Sequence, residues 1–325
     1  MKKILSVVLM LSITLLIFAS CAQDNTKIRI GYMSGPTGMG MAELIHGNGG
    51  VDGNEKYSFD KYDNSSLALA DIASGKIDLA CLPTNDAANY YNKNGGITVL
   101  AVNTLSSLFI LTDKNTTISS FEELEGKTVY TCKNGTPRMV LEALINKLEL
   151  KNVTVSYELD GKEIGTPKQL GEQLVAGNID IALVPEPIIT SSLLTIAKNG
   201  NSDIEYSVDL PISNVWSKAY GTDLTMGCIV SSTEFAEAHK GRINAFLDEY
   251  KSSIDFIANS QNLDISAEYI VECGVMAAPA AAKKALSNLS GAIAFMDGKD
   301  MKAALTEFYL ALNIQNPDDE FYYGS

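Results

Sequence analysis

At 325 residues the chain exceeds a typical domain of about 100–200 residues, which points to two lobes. With 46% hydrophobic and 20% charged residues it has a globular composition, not a disordered or fibrous one. A net charge of −14 repels phosphates and excludes nucleic acid as a partner, and two histidines in all argue against imidazole catalysis and His-rich metal sites.

The first segment pairs a basic start, Met1-Lys2-Lys3, with an apolar run from Ile4 to Phe18, then Ala19-Ser20-Cys21. The run is short for a membrane span, which needs about 20 apolar residues, and reads as a signal peptide over residues 1–20. The cysteine behind the small pair resembles the bacterial lipoprotein cleavage box, in which the thiol is acylated. Cys21 is therefore the expected lipidation site, followed by a tether over residues 21–26. Cys81, Cys132, Cys228 and Cys273 lie in apolar stretches without CxxC spacing, so buried free thiols are expected.

Next come two echoes. Lys27-Ile28-Arg29-Ile30-Gly31-Tyr32 leads into Ser34-Gly35-Pro36-Thr37-Gly38, and Lys127-Thr128-Val129-Tyr130-Thr131-Cys132 leads into Asn134-Gly135-Thr136-Pro137 and a helix over residues 139–148. Downstream, Ile72-Ala73-Ser74-Gly75-Lys76-Ile77-Asp78-Leu79-Ala80-Cys81-Leu82-Pro83 recurs as Leu174-Val175-Ala176-Gly177-Asn178-Ile179-Asp180-Ile181-Ala182-Leu183-Val184-Pro185. Each copy reads as a helix stopped by glycine and a buried strand ending at proline. Two similar strand–turn–helix–strand units thus head two α/β lobes. Between them residues 108–112 form a strand, and Ser119-Ser120-Phe121-Glu122 has the pattern of a capping box. A return strand is expected over residues 222–230. Ile243, Phe246, Leu247, Tyr250, Ile254 and Ile257 fall on one helical face, residues 301–312 form a last helix, and residues 316–325 read as a loose tail. The expected division is lobe one over 27–112 with 222–325, and lobe two over 113–221.

The ordered strings IRIGYMSGPTGMGMAELI, SGKIDLACLP, LFILTD, SSFEELEGKTVY and AGNIDIALVPEP resemble the type II solute-binding proteins of ABC importers, in the nitrate/sulfonate/taurine and thiamine-pyrimidine-precursor branch. The resemblance covers residues 27 to about 258. It implies an α/β, two-lobed type II periplasmic-binding-protein fold with a ligand cleft between the lobes. It implies a monomeric lipoprotein outside the cytoplasmic membrane, handing a small-molecule solute to an ABC permease and its ATPase. No catalysis, cofactor or metal is expected. The alternative is an enzyme on the same fold, acting on a small heterocycle or menaquinone-type precursor.

Carried over by position, the ligand contacts in lobe one are Ser34, Gly35, Pro36, Thr37, Gly38, Met39, Asn64, Ser65, Ser66, Pro83, Thr84 and Asn85. Lobe two supplies Asn134, Gly135, Thr136, Pro137 and Glu186. In open α/β sheets ligands sit beyond the carboxyl ends of strands, where both glycine turns fall, and first-turn amides there bind acceptors. Glu186 reads equally as a contact or as a cap of the following helix. Trp216 and Tyr220 read as cleft or core aromatics, and Met33, Met39 and Met41 as packing and not a copper ladder. Without an arginine in the lobe-one turn, the expected ligand is neutral or zwitterionic, with an acceptor-rich end and an apolar or planar body; a sulfonate or carboxylate held at the helix N-termini is the runner-up.

Overall fold

The computed structural model describes residues 24–325. The expected signal peptide and Cys21 lie outside the described residues. The chain forms two main sheets. The first has strand order β13-β4-β12-β3-β1-β2, from β1 (Ile28–Met33), β2 (Tyr57–Tyr62), β3 (Leu79–Pro83), β4 (Ile97–Thr104), β12 (Gly227–Ser232) and β13 (Ile293–Met296). The second has order β11-β5-β10-β6-β7, from β5 (Leu108–Asp113), β6 (Thr128–Tyr130), β7 (Thr154–Ser156), β10 (Ile181–Pro185) and β11 (Tyr206–Pro211). A small ribbon of β8 (Glu158–Leu159) and β9 (Lys162–Glu163) stands apart.

The two echoes become two equivalent units. β1 and β3 are parallel neighbours in the first sheet, and β6 and β10 in the second. The helix stops before β3 and β10 use Gly75 and Gly177, at φ +69° and +72°, where a side chain is disfavoured. β3 and β10 bury the same four leading positions, as expected of strands covered on both faces.

Each sheet also receives one antiparallel strand from the crossing chain. β12 runs antiparallel between β3 and β4, and β5 antiparallel between β10 and β11. This corrects the expected boundary at residue 112. Residues 108–112 pair in full with the second sheet, so the first crossing is residues 105–107. The return crossing lies between Tyr220 and Gly227.

The helices are α1 (Pro36–Met39), α2 (Ala42–Gly47), α3 (Ser65–Ala73), α4 (Thr84–Asn94), α5 (Thr136–Lys147), α6 (Pro167–Val175) and α7 (Ile188–Asn199). They continue with α8 (Ile212–Tyr220), α9 (Thr233–Ala238), α10 (Lys240–Ala258), α11 (Leu263–Glu272), α12 (Pro279–Asn288) and α13 (Gly298–Ala311). In α10 the residues Ile243, Phe246, Leu247, Tyr250, Ile254 and Ile257 are all buried, as their spacing predicts. They pack with β1, α2, α11 and α12 against one face of the first sheet. The opposite face joins a core that continues through Trp216 and Phe308 into Val140, Leu141 and Leu144 of α5, in the other lobe.

Two local expectations fail. The segment behind Ser119-Ser120 is a single 3-10 turn over Phe121–Leu124 without a serine cap; the Ser119 amide instead donates to the Glu123 carboxylate (3.1 Å). The tail is not loose. Phe321 and Tyr322 are buried, and the Tyr323 amide donates to the Val99 carbonyl (3.0 Å), because two large aromatics find an apolar site beside β4. The four cysteines among the described residues are buried and form no disulfide with one another. Cys81 and Cys228 sit on adjacent strands but point into different cores. Among the described residues no helix is long and apolar enough to cross a membrane.

Candidate functional site

The carboxyl ends of β1 and β3 in one lobe, and of β6 and β10 in the other, open onto one cavity of about 600 Å3. From the first lobe Met33, Ser34, Gly35, Pro36, Thr37, Asp63, Asn64, Ser65, Pro83, Asn85, Asp86, Thr104 and Met226 line it. From the second come Asn134, Gly135, Thr136, Pro137, Gly165, Thr166, Pro167, Pro185, Glu186, Pro187 and Ile188, and from the first crossing Ser107.

Local sequence builds this wall. Gly35 (φ 96°, ψ −168°) and Gly135 (φ 99°, ψ −179°) adopt nearly the same conformation, one open to glycine alone, each directly before a helix carrying proline in its first turn. The glycines are required by this backbone geometry and not by crowding. A Cβ on Gly35 would meet only Pro187 Cδ, at 3.9 Å across the cleft. The N-termini of α3, α4, α5, α6 and α7 also face the cavity. Three are closed by side chains: Asn64 Oδ1 accepts from the Leu67 amide (3.1 Å), Thr166 forms a capping box with Gln169, and the Glu186 carboxylate accepts from the Thr190 amide of α7. Six of the chain's nine prolines stand in the wall, giving a rigid apolar surface with Met33, Met226 and Ile188.

Most of the expected contacts come together here: Ser34, Gly35, Pro36, Thr37, Asn64, Ser65, Pro83, Asn85, Asn134, Gly135, Thr136, Pro137 and Glu186. Four do not. Gly38 is tucked under its own turn, where a Cβ would lie 1.9 Å from the Met33 carbonyl oxygen. Met39 is fully buried in the core with Met41. Thr84 is fully buried, its hydroxyl donating to the Thr225 carbonyl (2.7 Å). Ser66 points outward from α3, one position past the residue that faces the cavity. Trp216 is core, its ring 4.3 Å from Tyr220 and 5.7 Å from Phe308. Sequence reading missed Asp63, Asp86, Thr104, Ser107 and the Gly165-Thr166-Pro167 turn. That last turn had a legible signal, a threonine cap ahead of Pro167 and Gln169.

Among the described residues two side-chain hydrogen bonds cross the cleft. Thr136 Oγ1 donates to Asn85 Oδ1 (2.7 Å), and Asn288 Nδ2, at the end of α12, donates to Glu186 Oε1 (2.5 Å). Glu186 is 1% exposed and also accepts from the Thr190 amide (3.2 Å) and hydroxyl (2.9 Å). Its carboxylate therefore caps α7 and ties the lobes. Burial pushes its pKa up, against the pull of the Asn288 and Thr190 donors. Asp86 is also pushed up by burial, opposed by the Ser65 hydroxyl, which donates to Oδ2 (2.5 Å). Asp63 is exposed at the rim. Among the described residues no lysine or arginine lines the cavity. Lys133 and Arg138, flanking the second turn, are engaged elsewhere by Glu163 and Glu142. The site can thus offer first-turn amides to acceptors, carboxylate to a donor, and apolar prolines to a ligand body. Among the described residues no group of three or more His, Cys, Asp or Glu side chains is placed to hold a metal ion.

A model of the NMT1/THI5-like family matches residues 58–262. The chain belongs to that family. Solved structures resemble this NMT1/THI5-like protein along most of its length. An ABC transporter protein from Parabacteroides distasonis aligns with a TM-score of 0.72 at 18% identity, covering 91% of this chain and 98% of the other. The periplasmic aliphatic sulphonate binding protein SsuA from Escherichia coli gives 0.67 at 16% identity, over 91% and 92%. The zinc-bound ligand-binding component of an ABC-type import system from Staphylococcus aureus gives 0.67 at 17%, over 91% and 96%. At these identities the likeness establishes the two-lobed type II periplasmic-binding fold. Curated protein sequences give no match.

Proposed function

We propose that this NMT1/THI5-like protein is the extracytoplasmic solute-binding component of an ABC-type importer, binding a small neutral or zwitterionic molecule that carries an amine or ring N–H donor beside an acceptor. The observation that carries the reading is the interlobe cavity of about 600 Å3, lined by Asp63, Asp86 and Glu186 and, among the described residues, by no basic side chain. A simple anion would meet only helix amides, each a partial charge, with carboxylates nearby. A donor-bearing ligand is matched by both, and the proline wall suits an apolar or planar body. The proposed contacts are the expected residues that line the cavity other than Glu186, which caps α7 and ties the lobes, joined by Asp86. The likeness to binding components of importers supports delivery to a permease and its ATPase. Lobe one in this reading is the first sheet with α1–α4 and α9–α13, and lobe two is the second sheet with α5–α8. The chain works as a monomer, tethered to the outer face of the cytoplasmic membrane through lipidated Cys21, and closes its lobes on one solute.

A thermal-shift panel tests the ligand class. A ligand at 100 times its Kd stabilises by about 2.7 kcal/mol. Aminopyrimidines and similar N–H heterocycles are expected to raise the melting temperature. Stabilisation by taurine, alkanesulfonates or nitrate in their place would overturn the reading.

A further inference from the structure

The three cavity carboxylates are not equivalent. Asp63 is exposed at the rim, and Glu186 is saturated by Thr190 and Asn288. Asp86 differs from both. It lies part-buried in the wall at the start of α4, with no cation in salt-bridge distance among the described residues. Its partners are neutral: the Ser65 hydroxyl on Oδ2 (2.5 Å) and the Asn85 side-chain amide on Oδ1 (3.0 Å).

The second contact has a consequence across the cleft. Donating Nδ2 to Asp86 leaves Asn85 only its Oδ1 to turn the other way, and there it accepts from Thr136 Oγ1 of the other lobe (2.7 Å). Asn85 and Thr136 are 4% and 5% exposed, so each has little access to water and relies on the other while the lobes are together. Were the amide turned over, its NH2 would face the threonine and its carbonyl would face a carboxylate, a repulsive pairing. Ser65, Asp86, Asn85 and Thr136 therefore form one directed chain, anchored on the carboxylate and ending on the opposite lobe.

We propose that Asp86 selects the donor group of the ligand and, through the orientation it imposes on Asn85, couples that selection to lobe closure at Thr136. This rests on the donor-bearing ligand proposed above. The unpaired carboxylate makes a cationic or N–H group the favoured occupant beside it, because a partly desolvated charge without a counterpart is costly. The same carboxylate acts as a positioning group for Asn85, so the binding site and the interlobe bond share one residue.

Spin-label distances test the coupling with no ligand added. Ser66→Cys on α3 and Lys168→Cys on α6, in a Cys21→Ser chain, place labels at exposed positions beside the cavity on opposite lobes. The four remaining cysteines are buried. Thr136→Val is expected to lower the closed-to-open ratio about five-fold, the order of one net hydrogen bond. Asp86→Ala should do the same by freeing the Asn85 amide, and the double variant should be no more open than either single one. A wild-type distance distribution in Asp86→Ala, or additive opening in the double variant, overturns the coupling. Selection is read separately by calorimetry with 4-aminopyrimidine and 4-methylpyrimidine. Wild type should prefer the amine about ten-fold or more, and Asp86→Asn should lose the preference; a preference retained in Asp86→Asn overturns selection by Asp86. If neither probe binds wild type, the donor-ligand reading and the selection fall together, while the distances still decide the coupling.

Discussion

Replacing Glu186 by alanine distinguishes a structural carboxylate from a ligand contact. The substitution strips the cap from the Thr190 amide and hydroxyl and the partner from Asn288 Nδ2. A lost cap costs about 1 kcal/mol, and a buried donor left without an acceptor about 1–3 kcal/mol. Against this stands relief of a carboxylate that burial already disfavours in its charged form, and water in the adjoining cavity can reach part of the vacated space. The net expectation is a loss of about 2–3 kcal/mol, or roughly 3–5 °C in melting temperature for a chain of this size. Glu186→Gln keeps an oxygen for the Thr190 amide and leaves Asn288 to turn its own amide, so about 1 kcal/mol is expected. The pH dependence has a definite sign. A carboxyl whose folded pKa lies above 4.5 binds its proton more tightly when folded, so its contribution grows as pH falls from the folded value towards 4.5. That part of the pH profile should vanish in Glu186→Ala. Urea and thermal melts between pH 4 and 8 provide the assay. An alanine variant that melts within 1 °C of wild type yet no longer binds its solute would refute the cap-and-tie assignment.

Gly38→Ala should destabilise by about 3 kcal/mol or more, since its Cβ would lie 1.9 Å from the Met33 carbonyl, whereas Gly241→Ala in open space within α10 should be neutral or stabilise by up to about 1 kcal/mol; equal urea midpoints would contradict the geometry. Asp86→Asn should raise stability at neutral pH, because a carboxyl whose folded pKa is raised weakens the fold above that value, and the gain should shrink as the melt is moved towards pH 4. Asp24, held to about 2 by its hydrogen bonds to Thr26 and His239, contributes above 3.8 and loses that contribution as pH falls through about 2; NMR titration of its carboxyl should show the low midpoint, and His239→Ala should raise it. Cys21→Ser should move the protein from the membrane to the soluble extracytoplasmic fraction, and unchanged partition would remove the lipid anchor from the proposal.

What the sequence determined by itself was local and repeated. Glycine stops ahead of two buried strands, twin glycine turns before proline-led helices and the apolar stripe of α10 each depend on neighbours within one or two turns of chain. They fixed the two units and most of the cavity wall. The misplacements are also physical. Gly38, Met39, Thr84 and Ser66 lie within a residue or two of true lining positions, and helical rotation alone turns them to core or solvent. Leu108–Asp113 is an apolar strand that either sheet would accept, and only pairing with β10 and β11 assigned it to the second. The tail carried its aromatics in plain view, but nothing local shows the site beside β4 that receives them. Asn85 meets Thr136 across 51 residues, and Asn288 meets Glu186 across 102. Such pairings, and the raised carboxyl pKa values that burial creates at Asp86 and Glu186, exist only once two separately legible units are folded face to face, because they depend on which groups share a desolvated space and not on which are neighbours in the chain.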